Sequence, residues 1–245
     1  MISKDTLAVI VPILNEEIIL AQQLDCLYQQ IQSCQFADRI EVFLSDGGST
    51  DKSRQIALEK AKTYHWQIRY KKLLNPSVAK TVALVFPDID RPYCLVLPVD
   101  CELGSNGFNR FFLALDQGQI FDSGGFYKSY ERKRNLMAYY AGLQNSIRTG
   151  WFKNLVWTNG MFFKTNLVKS MEFEGLGGFL EDVQISDRLK KTKQVFFKEK
   201  ILVSPRLYYR RNPLGRILIN ALILFLYRTD FWSIPELKAL YQKYR

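Results

Sequence analysis

Histidine is almost absent: His65 is the only one in 245 residues. That argues against a zinc site or a histidine-based triad, and a strand or helix end accounts for His65 in YHWQIRY. Cysteine is scarce as well. Cys26, Cys34, Cys94 and Cys101 show no CxxC spacing, so a thiol redox motif is missing and a reduced, cytoplasmic setting is expected. Low-complexity stretches and internal repeats are also missing. The opening MISKDTLAVIVPI has one early Lys and an apolar run broken by Pro12. It lacks the long apolar region and small-residue cleavage site of a signal peptide, so the chain is expected to start directly as a strand. Acidic residues are short too, 24 against 34 Lys and Arg, leaving a net charge of +10. The excess favours anionic partners such as phosphorylated small molecules or anionic lipid. Nucleic acid would fit the charge, but no recognition motif with interleaved aromatics is present.

What is there is a globular composition, 47% hydrophobic and 14% aromatic, in a length that suits one α/β domain (residues 1–205) with a helical extension (206–245). LAVIVPI reads as a strand buried on both faces, and NEEIILAQQLDCLYQQI as a helix with Ile18, Ile19, Leu24, Leu27 and Ile31 near helical spacing. Asn15 is the expected N-cap, with Glu16 and Glu17 at the positive end of the helix dipole. The pattern repeats. A strand at Glu41–Leu44, a Gly-rich turn and a helix from Asp51 to Lys62 follow, then a strand in WQIRYKKLL, a short helix in SVAKTVALVF and a strand in YCLVLPVD. Alternation of this kind predicts a mixed, mainly parallel sheet covered by helices, with ligands bound beyond the carboxyl ends of the strands. Further on, GFNRFFLALDQG and RNLMAYYAGLQNSIR read as helices, IFDSGGFYKSY as a strand interrupted by Gly-Gly, WTNGMFFKTNLV as a strand-turn segment and EDVQISDRLKK as a helix.

Three carboxylate-bearing turns fall on that rim. In SDGGSTD, Asp46 ends a strand, Gly47 and Gly48 permit positive φ and close approach of a ligand, and Ser49 or Asp51 can cap the next helix. In LPVDCEL, Asp100 is a hard oxygen ligand suited to Mg²⁺ or Mn²⁺, which could neutralise a diphosphate leaving group. In GGFLEDVQISDRLKK, the turn Gly177, Gly178 and Phe179 would aim Glu181 or Asp182 at a site, where a carboxylate can serve as general base. Each turn also has an ordinary structural explanation.

VIVPILNEE, SDGGSTD, a strand-terminal Asp and GGFLED, in that order, resemble the family 2 glycosyltransferases over roughly residues 7–191. LEDVQISDRLKK and the apolar C-terminus look most like a small bacterial subgroup, the selenodomain-associated transferases. The resemblance implies a GT-A fold and transfer of a sugar from a nucleotide-diphosphate donor, UDP-linked by preference, to an acceptor hydroxyl or lipid phosphate. By position, Pro12, Asn15 and Glu16 match the first nucleotide-binding loop, Asp46 the residue that recognises the base, and Asp51 the head of the next helix. Asp182 matches the base that deprotonates the acceptor for inversion, Glu181 stands beside it, and Lys80 loosely matches a basic residue near the diphosphate. The metal motif departs from the family. In one register Asp100 is its second Asp and Pro98 replaces the first, with Glu102 as auxiliary ligand; in the other, Asp100 and Glu102 form the pair.

Ile217–Tyr227 is apolar apart from Asn220 and flanked by Arg210, Arg211, Arg216 and Arg228. Eleven residues cannot span a bilayer, which needs about twenty. A helix at an anionic membrane surface suits this pattern, with a lipid-linked acceptor and a peripheral position on the inner face of the plasma membrane; packing under the sheet or a homodimer contact suits it equally. Arg210 and Arg211 could also contact diphosphate, and Trp157, with Trp151 and Tyr139, could face an acceptor sugar or fill the core. Two rivals stand. A sugar nucleotidyltransferase would need a Gly-rich basic loop after the first strand, which VPILNEE lacks. A non-catalytic, membrane-associated binding partner would explain the missing first Asp.

Overall fold

The computed structural model describes residues 6–130, 135–169, 176, 178–204, 213–229 and 231–244. The chain divides into two compact units, the first ending at Val203 and the second beginning at Ser204.

In the first unit an eight-stranded sheet is built from β1 (Leu7–Ile13), β2 (Ile40–Asp46), β3 (Gln67–Tyr70), β4 (Tyr93–Val96), β5 (Cys101–Glu102), β6 (Ser123–Tyr130), β7 (Met161–Lys164) and β8 (Gln194–Val203). Their spatial order is β3-β2-β1-β4-β7-β6-β8-β5. β1, β2, β3 and β4 run parallel, β7 is antiparallel to both β4 and β6, and β6 is parallel to β8. The expected mixed, mainly parallel sheet with helices around it is what forms. Continuous apolar runs explain the central strands: β1 and β4 are buried along nearly their whole length, as strands covered on both faces must be.

Helix α1 (Glu17–Gln32) buries Leu20, Leu24, Leu27 and Ile31, one stripe at helical spacing. Ile18, expected on that stripe, is 92% exposed instead, out of phase with Leu20. Asn15 is not the N-cap. Glu16 holds that position, and Asn15 adopts φ 55° and turns its side chain elsewhere. Helix α2 (Ser53–Tyr64) ends on His65 in the left-handed conformation, so the lone histidine is a helix C-cap. Helices α3 (Val78–Ala83), α4 (Gly104–Asp116), α5 (Asn135–Leu143), α6 (Thr165–Lys169) and α7 (Glu181–Leu189) complete the unit, with an eight-residue π-helical segment at Gln144–Trp151.

Two further features differ from the sequence reading. β6 runs unbroken through Gly124 and Gly125, because a Cβ on Gly124 would lie 2.0 Å from the Val195 carbonyl oxygen and 2.5 Å from the Phe162 ring. Glycine there permits close strand approach and does not interrupt the strand. β8 is a ten-residue strand with no counterpart in the sequence reading. Its charged centre, Lys198, Glu199 and Lys200, coincides with a register shift against β6 between Phe126 and Tyr127, which hides the strand period.

In the second unit a helix at Pro213–Arg228 is followed by one at Ile234–Tyr244, with Ile223 and Leu237 buried. Among the described residues no helix is long and apolar enough to cross a membrane.

Candidate functional site

β1, β2 and β4 deliver three segments to one rim. Ile13 pairs with Asp46 across β1 and β2, Ile10 pairs with Val96 across β1 and β4, and the loops after these positions carry residues 14–16, 47–52 and 97–100. The first two loops are stitched together. Asn15 accepts from the Thr50 backbone N–H at 2.9 Å, while its own N–H donates to Ser49 Oγ at 3.0 Å. The Glu16 N–H donates to Ser53 Oγ at 2.7 Å and the Glu17 N–H to Asp51 Oδ2 at 3.2 Å. Hydrogen bonding to Ser53 and Glu17 outweighs the cost of burial and holds the Asp51 carboxyl below its ordinary range. Asn15 and Asp51 thus brace the rim between the starts of α1 and α2.

Asp46 sits at the centre of this brace, with no solvent exposure. Its Oδ1 accepts from the Gly48 N–H at 2.9 Å and the Ser49 N–H at 2.8 Å, and its Oδ2 is buried with no partner among the described residues. An acceptor oxygen held in that state is costly unless a ligand donor completes it. The glycines beside it are tied to their surroundings. A Cβ on Gly47 would meet Thr81 Oγ1 at 2.5 Å; Gly48 has φ +111° and would meet the Lys72 backbone at 2.9 Å. Pro12 lies within β1 opposite Ser45, upstream of the loop itself.

Asp100 follows β4 in a tight turn closed by a bond from the Cys101 N–H to the Pro98 carbonyl at 2.9 Å. It is half-buried, as is Pro98. Glu102 faces α1, where the Gln23 amide donates to it at 3.3 Å. Among the described residues no three His, Cys, Asp or Glu side chains converge in a way that could hold a metal ion. The Asp100 carboxylate instead lies within electrostatic reach of a buried ammonium, that of Lys128. One carboxylate is short of an all-protein cation cage, so a divalent cation here would need substrate phosphate oxygens and water to complete its shell.

α7 brings Glu181 and Asp182, and they face different ways. Glu181 Oε1 accepts from the Ala79 N–H at 2.7 Å in the first turn of α3, and burial pushes its carboxyl up. The indole of Trp157 faces the same carboxylate from the core, where Trp157 packs with Met161, Leu176 and Ile185. Trp157 is therefore a core residue under the site, not part of an open platform, whereas Trp151 and Tyr139 are exposed. Lys80 lies on α3 one residue beyond Ala79, its N–H capped by Ser77 Oγ at 3.3 Å.

Asp182 is recessed. It retains some solvent contact, yet enough protein surrounds it that burial raises its carboxyl, while Arg148 and Lys128 oppose the rise. Neither cation stands out in the sequence, since they come from separate segments without a motif. Lys128 follows the β6 register shift and is 5% exposed. Arg148 belongs to the π-helical segment, which is fastened to β6: Asn145 accepts from the Lys128 N–H at 2.8 Å and donates to the Lys128 carbonyl at 2.9 Å. Irregular strands and π-segments recur at functional sites because they re-aim side chains. Arg210, Arg211 and Gly177 lie outside the described residues.

The sequence profile described as glycosyl transferase family 2 matches residues 8–173, over half of the chain. The chain belongs to that family. No curated protein matches it in sequence. Among solved structures, Staphylococcus aureus TarS superposes with a TM-score of 0.65 at 16% identity, over 89% of this chain and 40% of that one. The mannosyltransferase PcManGT of Pyrobaculum calidifontis, in complex with GDP-Man and Mn²⁺, gives a TM-score of 0.63 at 16% identity, over 95% of this chain and 66% of that one. Mycobacterium tuberculosis glucosyl-3-phosphoglycerate synthase, with Mn²⁺, UDP and glucosyl-3-phosphoglycerate, gives 0.60 at 15% identity, over 94% and 82%. The fold of this family 2 chain is therefore GT-A-like, and the chain spans 40% of the TarS chain it matches.

Proposed function

We propose that this family 2 chain transfers a sugar from a nucleoside-diphosphate donor to an acceptor hydroxyl or lipid phosphate, with inversion. The observation that supports it most is the buried, unpartnered Oδ2 of Asp46, an acceptor poised for a ring N–H of the donor base at the carboxyl edge of the sheet. A TarS structure holds UDP and PcManGT holds GDP-Man, so both bases are candidates, and UDP is favoured. The narrower likeness to the selenodomain-associated transferases is part of the same reading and rests on LEDVQISDRLKK.

Asp182 is the general base. Its raised carboxyl lies near two cations that stabilise the carboxylate form, so it is available to take a proton from the acceptor. The acceptor oxygen then attacks the anomeric carbon from the face opposite the diphosphate, and the departing C–O bond leaves its electrons on the diphosphate. Glu181 positions α7 against α3 and keeps Asp182 in place. Mn²⁺ accompanies the ligands in PcManGT and in the mycobacterial synthase; a Mg²⁺ or Mn²⁺ ion here would find Asp100 as its protein carboxylate.

The test is a screen of UDP- and GDP-sugars for donor hydrolysis and transfer. At least one donor should be consumed by the wild type and not by Asp182→Asn. A wild type inert towards every donor would leave the non-catalytic reading standing.

A second reading concerns the acceptor. Leu218, Leu222 and Phe225 on the helix Pro213–Arg228 are exposed, and Arg228 closes its last turn. This supports docking on an anionic membrane surface, a peripheral location and a lipid-linked acceptor. Vesicles containing anionic lipid should sediment the protein. Unchanged sedimentation of Leu222→Glu/Phe225→Glu would sink the idea.

A further inference from the structure

The Asp100 turn offers a single carboxylate, and it has a buried ammonium within electrostatic reach. Lys128 is buried on β6, where burial and the nearby Arg148 bring its ammonium down to about 7, with Asp182 and Asp100 acting in the opposite direction. Among the described residues neither the Lys128 nor the Arg148 side chain closes an ion pair or a hydrogen bond, and Arg148 Nε is buried without an acceptor. Two cations held near each other, with carboxylates in reach but not in contact, are costly for the free protein. The arrangement becomes favourable when an anion enters between them.

Where that anion would sit follows from topology. β8 pairs its Val203 with Tyr130 of β6 on one side and with Cys101 of β5 on the other, so a single strand separates the end of β6 from the residue that follows Asp100. Asn145 fixes the Lys128 backbone from the π-helical segment, and the Asn154 N–H bonds to the Arg148 carbonyl at 2.8 Å, so both cations are mounted on braced backbone.

We propose that Lys128 and Arg148 bind the donor's diphosphate oxygens and supply the positive charge for which the Pro98–Asp100 turn provides one carboxylate only, so that donor binding needs no divalent cation. The inference rests on the nucleotide-sugar reading. Arg148 offers a planar fork of donors to phosphate oxygens and Lys128 a compact charge, a combination that suits a leaving diphosphate.

Titration calorimetry with UDP, GDP and the corresponding nucleosides, in excess EDTA and then in Mn²⁺, tests it. The wild type should bind a nucleoside diphosphate in EDTA within about threefold of its affinity in Mn²⁺. Lys128→Met and Arg148→Gln should each weaken that diphosphate by about tenfold or more in EDTA, while the nucleoside is unaffected. Arg148→Lys should recover part of the loss. Circular dichroism identifies any variant that fails to fold, in which case the other variant and the wild-type metal comparison decide. Diphosphate binding seen only with Mn²⁺ overturns the inference and leaves the nucleotide-sugar reading intact. Variants that bind the diphosphate like wild type in EDTA also overturn it and would move the cation pair to the acceptor. Absence of binding under every condition overturns both.

Discussion

The two halves of the rim are built on opposite principles. Around Asp46, Asn15 and Asp51, the loops after β1 and β2 are cross-linked by short hydrogen bonds between residues 34 to 37 apart in sequence, and one carboxylate oxygen is left open. Around Asp182, Asp100, Lys128 and Arg148 the charges lie within electrostatic reach of one another and, among the described residues, close no ion pair. A satisfied network fixes shape, and a buried charge in a braced setting stores electrostatic potential for a ligand. The first half suits recognition of an unchanging base. The second suits a reaction in which charge moves.

The largest effect should come from the charged half. Asp182→Asn should cut donor turnover by about 10²–10⁴-fold, the usual contribution of a general base, with donor affinity within about threefold of wild type. It should also stabilise the fold above neutral pH. Both Glu181 and Asp182 have carboxyls raised by burial, so the native state holds more protons than the unfolded one just above the ordinary carboxylate range. Their contribution to stability is therefore full at acid pH and is lost as pH rises through the raised values. The melting-temperature advantage of Asp182→Asn should accordingly be present at pH 8 and vanish near pH 4; a constant difference would contradict the buried-charge account.

The braced half should respond through stability. Gly48→Ala forces a Cβ into the Lys72 backbone at φ +111°, and a cost on the order of 1–3 kcal/mol is expected in urea unfolding. Asn15→Ala removes the bond to the Thr50 N–H and should cost less, about 1 kcal/mol, while loosening nucleotide binding indirectly. A catalytic loss with Asn15→Ala as large as that with Asp182→Asn would erase the distinction between the halves.

The same contrast explains what can be read from the sequence. VPILNEE and SDGGSTD are contiguous, and their strand-turn-helix chemistry is local, so the parallel sheet, its rim and the position of Asp46 are legible. Asn15 as an N-cap is the natural local reading, but the side chain is used across 35 residues by Thr50. Lys128 and Arg148 are invisible because their meaning depends on a register shift in β6 and a π-helical segment, neither of which has a sequence period. Trp157 is ambiguous in sequence, and the core under α7 settles its place. β8 escapes notice because charged residues at its shift interrupt the alternation.

The central claim, that this rim reads a nucleotide base, is tested most directly at Asp46. Asp46→Asn keeps an oxygen for the Gly48 and Ser49 N–H groups and replaces the open acceptor by a donor. Calorimetric titration of the favoured nucleoside diphosphate should show an affinity loss of about 30–150-fold, the equivalent of about 2–3 kcal/mol for a mismatched buried polar group, with an unchanged melting temperature. Equal affinity in wild type and variant would contradict the account.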